Sequence, residues 1–324
     1  MRSHHTHSGD YVSHASDTLE TVCQRAIDMG FQSFCLTEHQ PRLKDDFLYP
    51  EEKSKSYNAA NLSEIFANYY KHARIIQQRN LADPKVKTKF LVGFEVEAID
   101  GPHIDLAVDL LQEYQFDMCV GSVHFIKSIP IDFDKELWEA ARAACGGAYE
   151  LFSEYFEIQY LMLQKIKPAV VGHFDLIYLM CDESVVDKRT GKKVKTEINI
   201  QKDWPQIWEK VIRNVKFIKS YGGLFELNSA SLRKGWATPY PGVEIAKAIC
   251  EYGDARFCFS DDCHSIAQVG LNYHRVLKYA DEILNLEEIY FIDLDEKNKP
   301  IIEKELLSTI KKNDFWKQYE ALEK

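Results

Sequence analysis

The positions of the histidines constrain this chain more than any other feature. Of its 11 histidines, six stand at or just past the end of a short apolar run. They are His5 and His7 in RSHHTH, His39 in SFCLTEH, His124 in DMCVGSVHFI, His173 in AVVGHF and His264 in RFCFSDDCH. Glu95 in KFLVGFEVEA, Asp262 in RFCFSDDCH and Asn228 in GLFELNS take similar places. The runs alternate with stretches of helical period, the pattern of parallel βαβ units. In a parallel barrel, residues at the C-terminal ends of several strands build the active site. A chain folded this way would gather imidazoles and carboxylates at one rim. That donor set suits Zn, Fe or Mn.

The segments between the runs support this reading. Asp17 and Glu20 have capping-box spacing, and Leu19, Val22, Cys23, Ala26 and Ile27 form one helical face that Gly30 ends. Residues 33–39 read as a strand, and 40–58, with Pro41 and Pro50, as a long loop of the kind that often binds or covers a ligand. Asn61 is expected to cap a helix striped by Leu62, Ile65, Phe66, Tyr69, Tyr70, Ala73 and Ile76. Strands follow at 89–98 and 117–126, then helix over 134–166 with a break at Gly146-Gly147, and a buried strand at 169–174. Residues 182–203 read as an exposed loop or ribbon. Two further strands, 223–229 and 256–264, flank a helix near 240–252, and the tail combines the strand IYFIDLD with a closing helix. About seven strand–helix units imply an α/β fold, a closed or nearly closed barrel in one domain. An open doubly wound sheet has the same periodicity.

Spacing sharpens the chemistry. Two residues apart on a strand, His5 and His7 point to the same face and can reach one ion, and Asp262 and His264 repeat the spacing. Glu95 can bridge two ions, and such a site lowers the pKa of bound water. His72, His103 and His274 lack this context and read as structural. Taken singly, an HxH pair or a histidine in GHFD is ordinary surface or core sequence. The coincidence of so many at strand ends is what points to a metal site.

Charge and cysteines narrow the setting. With 40 Lys+Arg against 50 Asp+Glu the formal charge is −10, which disfavours nucleic-acid binding through a broad basic surface. There is no apolar run long enough for a membrane span, and MRSHHTHSGD lacks the apolar region of a signal peptide. Eight scattered cysteines without a CxxC pair read as reduced thiols in a cytoplasmic protein.

The motifs HxH, TEH, GFE, SVH, GHFD, ELN and DxH, in this order, resemble the PHP superfamily, named for polymerase and histidinol phosphatase. HHTHSGDYVSHA, CLTEHQPR, GSVHF, VGHFDL and ELNSASLRKG look most like its fungal histidinol-phosphatase branch. The resemblance implies a distorted (β/α)7 barrel with three divalent ions. His5, His7, Glu95 and Asp262 would hold the first. Glu95 would bridge to a second on His124 and His173, and His14, His39 and His264 would hold the third. Many relatives have TDH where this chain has Thr37-Glu38-His39, which puts an orienting role for Glu38 in question.

The expected reaction is hydrolysis of a small phosphate monoester, L-histidinol phosphate, by a metal-bridging hydroxide, with neither nucleic acid nor membrane as partner. Glu95 and Asp262 are the expected catalytic carboxylates. Arg42 and Arg233 are candidate phosphate clamps, since guanidinium binds phosphate bidentately, and Asn228 is a further candidate substrate contact. Asp45, Asp46, Phe47 and Tyr49 of the 40–58 loop could meet the substrate's imidazole and ammonium groups. Another phosphoesterase of the superfamily, acting on a different small phosphate or a nucleotide, is the main rival. An amidohydrolase barrel fits less well, because it usually wants eight strands and often a bridging Lys where Glu95 stands here, and a nonenzymatic metal protein fits less well because no expected ligand is missing.

Overall fold

A computed structural model of the protein describes residues 1–320. The chain runs β1 (Arg2–Ser3), α1 (Leu19–Met29), β2 (Ser33–Leu36), α2 (Pro50–Ser54), α3 (Ala59–Ala82), β3 (Lys89–Val92), β4 (Glu95–Glu97) and α4 (Gly101–Glu113). Next come β5 (Val120–Ser122), the small hairpin β6 (Phe125–Ile126) and β7 (Ile129–Pro130), α5 (Lys135–Cys145), α6 (Ala148–Ile166) and β8 (Val170–Val171). It continues with α7 (Ile200–Asp203), α8 (Pro205–Tyr221), β9 (Leu224–Asn228), α9 (Ala230–Arg233), α10 (Val243–Tyr252), β10 (Phe257–Ser260), β11 (Glu288–Leu294) and β12 (Pro300–Leu306).

The central strands form two parallel sheets, β1-β2-β3 and β10-β9-β8-β5-β4. Isolated parallel bridges lie at both junctions. Thr6 pairs with Cys263 beyond β1 and β10, and His39 pairs with Glu95 beyond β2 and at β4. Both bridges fall among the site residues, so the ends of the two sheets are held in register where the chemistry is expected. His4 fastens the first junction from below: its ring nitrogens lie 2.8 Å from Phe259 O and 3.0 Å from the Ile292 N–H. Accepting from Ile292 at Nε2 leaves Nδ1 to donate to Phe259. Burial pushes the pKa of this imidazole down to about 4.

Run 89–98 is one apolar stretch in the sequence but two strands in the fold. It changes sheet at Gly93-Phe94, where Gly93 N–H donates to Leu36 O and its own carbonyl lies 2.7 Å from the Tyr69 hydroxyl. A Cβ on Gly93 would stand 2.7 Å from Met118 O. The strand can switch here because no side chain intervenes, and the switch delivers Glu95 to the junction.

Helix boundaries follow the capping chemistry closely. The N-cap of α1 is Thr18, whose side chain accepts from Thr21 N, rather than Asp17, which instead accepts from Ile266 N. Gly30 ends α1 in the left-handed region at φ 80°. α3 begins one turn earlier than expected, because Asn58 is the N-cap and forms a reciprocal capping box with Asn61 across Ala59-Ala60. The break at Gly146-Gly147 is present, with Gly146 at φ 93°. Segment 40–58 carries a 3-10 turn and α2, and 182–203 contains an antiparallel bridge, Val186 to Lys193, before α7. The tail differs from expectation. β11 pairs with a second strand, β12, whose mostly exposed PIIEKEL lacks a clear apolar alternation. All eight cysteines are free thiols, and no helix among the described residues is long and apolar enough to cross a membrane.

Gly93→Ala should lower stability by about 1–3 kcal/mol through overpacking against Met118. Urea unfolding would measure this, and an unchanged midpoint would contradict the tight sheet switch.

Candidate metal centre

Glu95 lies at the centre of the site, fully buried. Its Oε1 is 3.2 Å from His5 Nε2, 3.0 Å from His124 Nε2 and 3.1 Å from His173 Nε2. Its Oε2 is 3.0 Å from His39 Nδ1 and 3.4 Å from His7 Nε2. Five imidazoles from four separate strand ends thus approach one carboxylate. Asp262 approaches from the last of the parallel strands, with Oδ1 3.4 Å from His7 Nε2 and 3.8 Å from His5 Nε2. On the open side His14 Nε2 and His264 Nε2 face each other at 3.0 Å.

Four groups bring three ligand atoms within 4.8 Å of one another: His5, His7 and Asp262; His5, Glu95 and His173; His39, Glu97 and His124; and His7, His39 and His264. Eight of the nine expected ligands therefore converge, with three differences. His14 belongs to none of these groups; it is partly exposed and meets His264 and Glu51 instead. His7 stands with His39 and His264 as well as with His5, and Glu97 enters the set. Glu97 follows Glu95 by two residues on β4 and so shares its face, a signal the GFE motif alone does not use.

A surrounding layer of carboxylates sets the imidazole tautomers. A carboxylate only accepts, so His5 Nδ1–H donates to Glu226 Oε1 at 3.0 Å and leaves Nε2 facing Glu95 and Asp262. Asp132 does the same for His124 Nδ1 at 2.8 Å. Glu226 also accepts from His173 N and from Asn228 Nδ2. Neither Glu226 nor Asp132 was among the expected site residues. Glu226 sits two before Asn228 on β9, the same face again, whereas Asp132 lies in a loop without a pattern. Glu38 lies beside His7 without hydrogen-bonding it: Oε1 accepts from Ser8 N and Oγ, and Oε2 stops 3.6 Å from His7 Nδ1.

The electrostatics are those of a site waiting for cations. Burial opposes ionisation of Glu95, yet the imidazoles around it, His5 foremost, hold its carboxyl well below the usual range. Burial also opposes protonation of His7, but Asp262, Glu38 and Glu95 together raise it to about 10. His14 and His264 go the other way, pushed down by burial and by neighbouring imidazoles. Buried atoms of His5, His7, His39, Glu38, Glu95 and Glu97 have no hydrogen-bond partner among the described residues. Leaving such groups unsatisfied is costly, and a metal ion would satisfy nitrogen and oxygen donors alike.

A cavity of about 410 Å³ opens onto this cluster, lined by His14, His39, Glu95, His124, His173, Asp262 and His264. Arg233 lines it too, its guanidinium donating to Asp261 O and Asp262 O at 2.8 and 2.7 Å. The adjacent Lys234, exposed at the same cavity, is a cation the sequence reading passed over. Arg42 does not line this cavity. It is buried between Glu52 and Glu97, at 2.9 and 3.2 Å, so its charge is already neutralised. Asn228 is likewise turned inward, bonded to Glu226 and to Ala230 N. Of the 40–58 loop only Tyr49 and Glu51 line the cavity. Asp45 caps α3 by accepting from Ala59 N, Asp46 is exposed, and Phe47 packs on His103. His72 bonds Tyr11 and Glu20, and His103 bonds Asp100, both as structural residues.

A parallel α/β scaffold that gathers histidines and shared carboxylates at the strand ends is the build of a multinuclear metal-centre protein. Residues 3–230 match the family model described as the PHP domain, and the chain belongs to that family. It is 38% identical over 333 residues to the histidinol-phosphatase of Saccharomyces cerevisiae, covering 98% of this chain and 99% of that one. It is 42% identical over 281 residues to a second fungal chain, from Schizosaccharomyces pombe, covering 86% of each. Among solved structures it resembles histidinol phosphate phosphatase from Lactococcus lactis, complexed with zinc, L-histidinol and phosphate. That match has TM-score 0.58 and 15% identity over 88% of this chain and 92% of that chain.

Two predictions follow from the cluster's protonation and its orienting carboxylates. Because carboxylates raise His7 to about 10, zinc uptake near pH 7 must displace protons, so affinity should rise with pH. Calorimetry in buffers of different ionisation enthalpy would detect the release; zinc binding without proton release would contradict the assignment. Glu226→Gln should weaken zinc binding by about 10–100-fold while leaving the circular dichroism spectrum intact. Unchanged affinity would remove Glu226 from the site.

Proposed function

We propose that this chain is a histidinol-phosphatase, hydrolysing L-histidinol phosphate to L-histidinol and phosphate as a step of histidine biosynthesis. The observation that carries the reading is the convergence of five imidazoles on Glu95 at an open cavity. The near-full-length identity to a fungal histidinol-phosphatase supports the substrate.

The donor set fits divalent cations, three by our assignment. His5, His7, Glu95 and Asp262 would hold one, Glu95, His124 and His173 a second, and His14, His39 and His264 a third. Zinc is named for the Lactococcus protein, and iron or manganese take the same ligands. When bound, such ions offset phosphate charge and acidify water at neutral pH.

The chain's own residues do the rest. Glu226 and Asp132 hold His5 and His124 with Nε2 toward Glu95. Arg233 is preset by two carbonyls and, with Lys234, brings positive charge to the phosphate end of the cavity. Tyr49, Phe133, Leu176 and Met180 offer apolar surface to the substrate's imidazole. Glu51 lines the cavity and brings a carboxylate suited to the ammonium group. The phosphate ester then lies between cations on one side and a selective wall on the other. Arg42 and Asn228 support this arrangement from behind rather than touching the ester.

We further assign the two parallel sheets to a distorted (β/α)7 barrel in a single domain spanning the chain, on the strength of the bridges at both junctions. Eight free cysteines favour a cytoplasmic location. The net charge of −10 favours a small phosphate over nucleic acid as partner.

Phosphate release by metal-replete protein should be strongest from L-histidinol phosphate among phosphomonoesters. Changing His5 and His7 together to Ala should lower kcat/KM by at least about 10³-fold. Lys234→Ala should mainly raise KM, by about tenfold. Similar turnover of several esters would retain a phosphatase but discard this substrate, and metal-independent turnover would overturn the reading.

A further inference from the structure

A second cavity, of about 420 Å³, shares two chain segments with the first. From 173–180, His173, Leu176 and Met180 line the first cavity, while Asp175 and Tyr178 line the second. From 233–238, Arg233 and Lys234 line the first, while Trp236 and Thr238 line the second. The two spaces therefore lie on either side of one thin partition.

Nothing in the proposed reaction uses this second space, yet it carries the marks of a binding site. Asp175 is 2% exposed; its Oδ2 accepts from Gly242 N at 2.8 Å, and its Oδ1 has no partner among the described residues. A buried acceptor without a donor is unfavourable by about 1–3 kcal/mol, and the residue that carries it lines a cavity that would hold far more than a single water. Trp236 already receives a cation on its face, with Lys195 Nζ 5.3 Å from the ring centroid. Glu183 and Glu244 join Asp175 against Lys195 as the only cationic side chain of the lining. An N–H donor would complete Asp175, a flat apolar body would cover Trp236 and Tyr178, and a positive charge would balance the excess of acids.

We propose that this second cavity binds a small flat organic cation bearing N–H donors, and that its occupancy is felt at the first cavity through the 233–238 partition. Trp236 stands three residues from Arg233, and α9 ends at Arg233. A ligand pressed on the indole therefore acts on the short stretch that carries both Arg233 and Lys234.

Benzamidinium is a suitable probe, being planar, cationic and rich in N–H donors. Titrated calorimetrically into the metal-replete full chain, it should bind saturably at one site. Trp236→Ala and Asp175→Asn should each weaken it by about tenfold or more, while the protein with His5 and His7 changed to Ala keeps wild-type affinity. Because the Trp236 side chain is half-exposed, Trp236→Ala carries the test should Asp175→Asn fail to fold. The probe should also shift KM for the phosphate ester in the wild type and not in Trp236→Ala. Absence of saturable binding, equal binding by Trp236→Ala, or loss of binding in the double histidine variant would overturn the site. Binding without any kinetic shift would overturn the coupling. The calorimetric arm needs no turnover, so failure of the phosphatase reading would leave it readable.

Discussion

A single buried carboxylate organises this molecule. Glu95 has no exposure to water and five imidazole nitrogens within 3.4 Å. A bare negative charge in such a place would be strongly disfavoured, so positive charge must be gathered around it. The arrangement makes sense as a cation-binding centre, in which charge and lone pairs are matched at once. The surrounding elements can be understood from that need. Short parallel strands bring ligands from distant sequence to one place, and their ends are pinned by bridges at Thr6 and His39.

The next layer outward does less visible work. Glu226 and Asp132 hold the imidazoles of His5 and His124, Asp132 from the cavity wall itself, and they decide which ring nitrogen faces Glu95. A neutral imidazole has one donor and one acceptor, so a fixed acceptor behind the ring selects a ligand-competent face. Arg42 belongs to the same outer layer. Its ion pairs with Glu97 and Glu52 balance the charge of Glu97, which also meets His39 Nδ1 at 2.8 Å.

Much of this was legible before any coordinates. Histidines at the ends of apolar runs, with period-two spacing at His5/His7 and Asp262/His264, pointed to side chains that the fold brings together, because strand geometry is regular. The same rule could have exposed Glu97 and Glu226, each two residues from a recognised position. Asp132 and Lys234 were beyond its reach, since they arrive through loop geometry and not through a repeat. Arg42 misled for a different reason. Its proximity in sequence to His39 suggested a phosphate contact, but nearby carboxylates had a stronger claim on its charge. Boundaries moved where capping side chains competed, as at Thr18 and Asn58, and the exposed β12 escaped notice because only its partner strand is apolar.

The bridge from Thr6 to Cys263 has a consequence in time. His5 and His7 are synthesised roughly 250 residues before Asp262 and His264. At ordinary synthesis rates of about 5–20 residues per second, the early pair waits for tens of seconds without its partners. Until then the two imidazoles lack the partners that complete the cluster, so its assembly belongs to the end of folding. The site then serves as a clasp, closing the beginning of the chain onto its later strands.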